Sequence, residues 1–107
     1  MKIRLDFVTN SSSIAYVIRN RTNKEKTMLD FAKEIIHMLD QYNEDNSEFP
    51  VTREEYLDEA EDYGWSVGPN SEAEIVLHWE NDFLGIILTQ YLGHGSSESF
   101  SWRELPM

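Results

Sequence analysis

Residues 14–42 read IAYVIRNRTNKEKTMLDFAKEIIHMLDQY, and the spacing of the apolar residues changes within this stretch. Residues 14–19 form a short run rich in β-branched and aromatic residues, which is typical of a strand. From Thr27 to Tyr42 the apolar residues recur at helical spacing, and Asp30 follows Thr27 as a variant of the capping box. The stretch therefore predicts a strand followed by one helix over residues 27–42, in a fold that combines helices with a sheet.

The residues before this stretch predict a second strand. Ile3, Leu5 and Phe7 alternate with charged residues over residues 2–8, which is the period of a half-buried strand. Residues 10–13, NSSS, are turn formers because their short side chains bond to nearby backbone groups. We therefore expect residues 2–8 and 14–19 to form an N-terminal hairpin.

A second helix is predicted over residues 52–63. Thr52 and Glu55 have the spacing of a capping box. Gly64 stands where a left-handed C-terminal cap is expected, and Trp65 is placed to make the apolar contact that accompanies such a cap.

The remaining residues favour strands. Residues 68–71, GPNS, predict a turn, and residues 73–79 alternate as a strand. Residues 83–92 are apolar on both faces and contain two isoleucines, which favours a central strand, although Asp82 and Gly93 would equally suit the caps of a short helix. Phe100 and Trp102 indicate a short last strand.

The predicted fold class is α+β, in the order ββααββ(β). We expect a mostly antiparallel sheet of four or five strands with two helices packed on one face, in a single domain spanning residues 1–107.

The charge of the chain limits its partners. The 107 residues carry a net charge of −11 and no cysteine. Such a charge disfavours direct binding to nucleic acid and to anionic membranes, since both require basic side chains. No apolar run has the length of a membrane span, and the absence of cysteine fits a reducing compartment. We therefore expect a cytoplasmic protein.

The strongest functional signal is a run of acidic residues, nine of which lie within residues 44–62. The second helix carries six of them: Glu54, Glu55, Asp58, Glu59, Glu61 and Asp62. Carboxylates one helical turn apart repel each other, which costs about 0.2–0.5 kcal/mol per pair. One interpretation is a surface that binds a basic protein, as an interaction module or inhibitor. The other is a solvated face that basic residues from 19–26 neutralise.

The segment FVTNSSS, residues 7–13, resembles the opening of a group of small, uncharacterised prokaryotic proteins, and the resemblance covers about residues 1–18. The sequence departs from the group's pattern at Ile14, Ala15 and Tyr16. The resemblance implies no activity. The residues Asn10, Ser11, Ser12 and Ser13 nevertheless suggest an alternative function, because such a turn can bind a small anion or be modified on serine.

Catalytic and metal sites are less well supported by the sequence. His94 lies between two glycines, near Ser96, Ser97 and Glu98, which would suit a small hydrolase only if these groups converged in space. Residues 43–48 lack the spacing of a calcium loop. Three histidines, His37, His78 and His94, would bind a metal only if the fold brought them together. We expect no cofactor, and the sequence favours a binding protein over an enzyme.

Overall fold

The structure is a computed structural model that describes residues 13–79 and 82–106. In chain order its elements are β1 (Ser13–Asn20), β2 (Lys26–Thr27), α1 (Met28–Glu34), α2 (His37–Asp45), α3 (Arg53–Asp62), β3 (Ser66–Val67), β4 (Glu72–His78), α4 (Phe83–Tyr91), β5 (Gly95–Ser96) and β6 (Phe100–Glu104). The α+β class is confirmed. The predicted order and the number of helices are wrong, since the described residues contain four helices.

Strand β1 lies inside an antiparallel sheet with the order β4-β1-β6-β5, while β2 and β3 form a separate antiparallel pair. One edge of β1 pairs with β4 over residues 13–19, and the other pairs with β6 over residues 16–20. The backbone N–H of Leu105 also donates to the carbonyl of Ala15. Within the described residues β1 therefore pairs with β4 and β6. The predicted strand over residues 2–8, and with it the predicted hairpin, lies outside the described residues.

The two faces of the sheet differ in polarity. Tyr16 pairs with Ile75, and Ile18 pairs with Trp102, so these apolar side chains share one face. Helix α1 packs on this face, because the ring of Phe31 meets Phe100 and Trp102 edge to face with centroids 5.1 and 5.3 Å apart. Helix α4 also packs there, through the Tyr16 hydroxyl, which donates to the carbonyl of Leu88. The opposite face carries charged residues from the three longer strands, namely Arg19, Glu72, Glu74 and Arg103.

The single helix predicted over residues 27–42 is two helices. Thr27 caps α1 with Asp30 as predicted, but Ile35 leaves helical geometry with φ −109° and ψ 26°. Helix α1 packs against α3, whereas α2 packs against α4. The break at Ile35 and Ile36 allows each half to bury its own apolar residues against a different neighbour.

The predicted helix over residues 52–63 is confirmed as α3, but its predicted cap at Gly64 is wrong. Tyr63 ends the helix in an extended conformation, with φ −70° and ψ 126°. Gly93 is the glycine with positive φ among the described residues. The chain leaves α3 extended because β3 begins three residues later, and just before β3 the carbonyl of Trp65 accepts a hydrogen bond from the N–H of Met28.

The strand predicted over residues 83–92 is wrong, and these residues form α4. Asp82 caps the helix by accepting a hydrogen bond from the N–H of Gly85 at 2.6 Å, and Gly93 follows with φ 51°. Gly85 also permits close contact with β4, because a Cβ atom there would lie 2.1 Å from the carbonyl oxygen of His78. Residues that are apolar on both faces suit α4 because it is buried between β4, α2 and α3.

Candidate functional site

Five of the six predicted acidic residues of α3 are exposed, and we call them the α3 acidic surface: Glu54, Glu55, Asp58, Glu61 and Asp62. The helix places them outward because Tyr56 and Ala60 occupy its buried face. The carboxylate of Glu55 accepts a hydrogen bond from the N–H of Thr52 at 2.9 Å and completes the predicted capping box. The charge of Glu55 therefore also stabilises the start of the helix.

Glu59 is the exception, because its side chain is half-buried and faces α4. One carboxylate oxygen accepts a hydrogen bond from the N–H of Leu84 at 2.8 Å. Burial and the nearby charge of Asp82 raise the pKa of Glu59, although the Leu84 hydrogen bond opposes them. Glu59 thus joins α3 to α4 and is not part of the α3 acidic surface.

Few basic side chains neutralise the α3 acidic surface. The ion pairs within the described residues join Arg53 to Asp40 at 4.0 Å and Arg103 to Glu72 at 3.7 Å. Neither pair joins the basic residues of segment 19–26 to α3. Arg21 of that segment instead donates to the carbonyls of Ser97 and Glu98. The expected alternative, in which segment 19–26 neutralises α3, is not seen among these contacts.

The acidic residues before α3 have several surroundings. Asp45 accepts a hydrogen bond from the hydroxyl of Tyr91 at 2.6 Å, which raises the pKa of Tyr91 to about 12. Asn43 bonds to both backbone groups of Val51 and closes the connection between α2 and α3. Glu44 and Glu48 are exposed. The predicted acidic range 44–62 therefore includes at least two residues, Asp45 and Glu59, that hold helices together.

A groove lies beside the α3 acidic surface, with a volume of about 410 Å³. We call it the Trp65 groove, and it is lined by Thr27, Leu29, Ala60, Glu61, Tyr63, Gly64, Trp65 and Ser66. Glu61 belongs to both the groove and the acidic surface. The indole N–H of Trp65 is buried, and it has no hydrogen-bond partner within the described part of the chain.

The serine turn is only partly described. Asn10, Ser11 and Ser12 lie outside the described residues, and Ser13 is the first residue of β1, where it pairs with His78. The anion-binding alternative at this turn remains a prediction.

In the loop around His94, Ser97 and His94 have different hydrogen-bond partners. The hydroxyl of Ser97 donates to Glu34 at 2.6 Å, and the N–H of Ser99 donates to the same oxygen at 3.0 Å. His94 accepts a long hydrogen bond, 3.4 Å, from the N–H of Glu104. Burial would raise the pKa of Glu34, but the bonds from Ser97 and Ser99 together with the charge of Lys26 lower it. Glu34 therefore fixes this loop to α1 as a carboxylate, and Ser97 is engaged away from His94.

Residues 13–79 and 82–106 contain neither a metal-binding cluster nor a membrane-spanning helix. In this part of the chain no three histidine or acidic side chains are grouped so that they could bind a metal ion. None of the helices there has the length and apolar composition needed to cross a membrane.

The sequence did not identify the groove, because its lining comes from two stretches that are distant in sequence, residues 27–29 and 60–66. The sequence pattern places Leu29 and Ala60 only within the predicted helices over residues 27–42 and 52–63, and Gly64 only at a predicted cap. Trp65 was expected to contact the end of α3 and Glu61 to belong to an acidic surface, but neither expectation indicated a groove.

Comparisons with protein-family models, with curated proteins and with solved structures gave no match for this chain. The α3 acidic surface and the Trp65 groove are therefore the features from which a function can be inferred.

Proposed function

We propose that the chain is a protein-interaction module that binds a basic protein through the α3 acidic surface. One observation supports this most directly. The exposed carboxylates of α3 lack basic partners within 4.0 Å in the described residues, although the repulsion between them costs stability. A basic partner would replace this repulsion with attraction, and it would be drawn to the surface by long-range electrostatic steering.

The same charge disfavours nucleic acid as the direct partner, because phosphates would be repelled by α3. A cytoplasmic location fits a cysteine-free chain of this kind.

The proposal is tested by reversing charge on α3. The variant carrying Asp58→Lys and Asp62→Lys should lose a basic partner, with affinity lower by about tenfold or more, since two attractive contacts become repulsive. The unaltered chain and the variant would each be used as bait in an extract of the source organism, and the bound proteins identified by mass spectrometry. A basic protein retained by the first bait and lost by the second is expected.

A matched control separates the effect of the charge on α3 from the effect of the net charge of the chain. Glu74→Lys with Glu98→Lys changes the net charge equally at exposed positions outside α3. This control should retain the partner, with its affinity then measured on purified proteins. If the α3 variant retains the same partners as the control, the proposed function is wrong.

A further inference from the structure

The Trp65 groove can hold one large side chain. Its volume of about 410 Å³ lies within the range of about 300–1,000 Å³ that is common for ligand pockets. Leu29, Ala60 and Gly64 give it apolar surface, while Tyr63 and Trp65 add aromatic surface. Glu61 contributes a carboxylate. A side chain that fits this lining must be mostly apolar along its length and cationic at its end.

The charges around the groove select a cation. Glu61 lines the groove, and Asp62 follows it on the same exposed helix end. Asp30 accepts a hydrogen bond from the hydroxyl of the groove residue Thr27 at 3.1 Å. The lysine nearest in sequence, Lys26, instead acts on Glu34, where its charge lowers the carboxyl pKa. The groove is therefore acidic at its border.

Arginine meets these requirements better than other side chains. Its aliphatic stem packs along apolar surface while its head remains polar. Its guanidinium group bonds to a carboxylate through two parallel N–H groups and is attracted to aromatic faces. We propose that the Trp65 groove receives an arginine side chain from the basic segment that binds the α3 acidic surface, an inference that rests on the proposed function.

Gly64 provides a way to fill the groove without disturbing the fold. A Cβ atom at Gly64 would have no heavy atom within 4 Å, and its φ lies outside the left-handed range. Because Gly64 lines the groove, Gly64→Leu adds an apolar side chain at this lining. Gly68→Ala is the matched control, because its Cβ would make only an ordinary contact, 3.8 Å from the hydroxyl of Ser71.

The experiment uses three synthetic peptides, Lys-Gly-Lys-X-Lys-Gly-Lys, in which X is arginine, citrulline or glycine. Citrulline has the shape of arginine without its charge. Titration at low salt, followed by NMR, should give about tenfold tighter binding for arginine than for either alternative. Gly64→Leu should reduce the affinity for the arginine peptide to that for the glycine peptide. Gly68→Ala should leave the preference for the arginine peptide unchanged.

The outcomes distinguish this inference from the proposed function. Equal binding of the three peptides, or equal binding of arginine and citrulline, would overturn the arginine site while leaving the α3 acidic surface as a general site. An arginine preference that survives in folded Gly64→Leu would also overturn it. If Gly64→Leu does not fold, the comparison of peptides on the unaltered chain decides the question. If no peptide binds, the proposed function fails and the inference fails with it. The same follows if the variant carrying Asp58→Lys and Asp62→Lys binds each peptide as tightly as the unaltered chain does.

Discussion

At the scale of single residues, Asn20 is the buried polar group that organises the end of β1. Its side-chain amide donates to the carbonyls of Lys24, Val67 and Gly68. Its side-chain oxygen accepts hydrogen bonds from the N–H and the hydroxyl of Thr22. The side chain is fully buried, so each of these bonds replaces contact with water. Asn20 thereby fixes the turn after β1 to the end of β3, and β3 leads out of the Trp65 groove.

Asn20→Leu should lower the free energy of unfolding by about 3 kcal/mol or more, because leucine removes five hydrogen bonds, including the one to the buried carbonyl of Val67. Guanidinium denaturation followed by circular dichroism measures this loss. Asn43→Leu is the control, since Asn43 is only half-buried and bonds to one residue, Val51. If both variants lose the same free energy of unfolding, the hydrogen bonds of Asn20 stabilise the fold no more than those of Asn43.

At the scale of elements, α3 and α4 are joined by the carboxylate of Glu59, which lies near a second carboxylate, that of Asp82. Glu59 accepts the N–H of Leu84, and Asp82 accepts both the N–H of Gly85 and the hydroxyl of Tyr63. Both carboxylates thus serve the first turn of α4, where the helix dipole favours negative charge. Burial and the charge of Asp82 nevertheless raise the pKa of Glu59.

Glu59→Gln should therefore be more stable than the unaltered chain at neutral pH, because it keeps an acceptor for Leu84 and removes a disfavoured charge. A raised folded pKa means that the folded chain binds the proton more tightly than the unfolded chain. The free energy of unfolding of the unaltered chain should therefore rise relative to that of Glu59→Gln as the pH falls through the folded pKa of Glu59. This rise should be complete below the ordinary pKa of 4.5.

Glu59→Ala is the contrasting variant in these measurements. It should be less stable than Glu59→Gln at every pH, by about 1–3 kcal/mol, because the N–H of Leu84 loses its acceptor. Denaturation curves at several pH values measure all three chains. If the difference in stability between Glu59→Gln and the unaltered chain does not change with pH, the raised pKa of Glu59 is contradicted.

At the scale of the whole molecule, the dominant feature is the excess of negative charge. The chain carries 20 acidic and nine basic residues, and α3 carries carboxylate pairs one turn apart. Because these groups are exposed, salt should screen much of their repulsion. The same exposure makes them accessible to a partner, so the features that cost stability are those assigned to binding.

Raising the ionic strength from about 0.01 M to about 1 M, where the Debye length falls from about 30 Å to about 3 Å, should raise the free energy of unfolding of the unaltered chain. Asp58→Lys with Asp62→Lys should be more stable at low salt, by about 0.5–1.5 kcal/mol from pair and dipole contributions. It should also gain less from salt. Urea serves as the denaturant at each salt concentration, because it is uncharged and does not itself change the ionic strength. Destabilisation of this variant at low salt would mean that Asp58 and Asp62 make stabilising native contacts.

The sequence by itself determined the features that depend on neighbours along the chain. The capping boxes at Thr27 and Thr52 formed as predicted because each needs only a carboxylate three residues further on. The strands at β1, β4 and β6 followed from short apolar patterns. The run of acidic residues also predicted an acidic surface on α3, and five of its six carboxylates are exposed. This is the part of the candidate site that local information can supply.

The tertiary structure decided everything that depends on partners distant in sequence. Residues 83–92 suit a buried strand and a buried helix equally by composition, and the close approach of Gly85 to His78 belongs to the helix. The break after Ile35 and the inward turn of Glu59 depend on which helices become neighbours. The Trp65 groove likewise exists only where α1, α3 and β3 meet. Local patterns fix hydrogen bonds within a turn or a strand, whereas burial is shared among segments and is settled only when they pack.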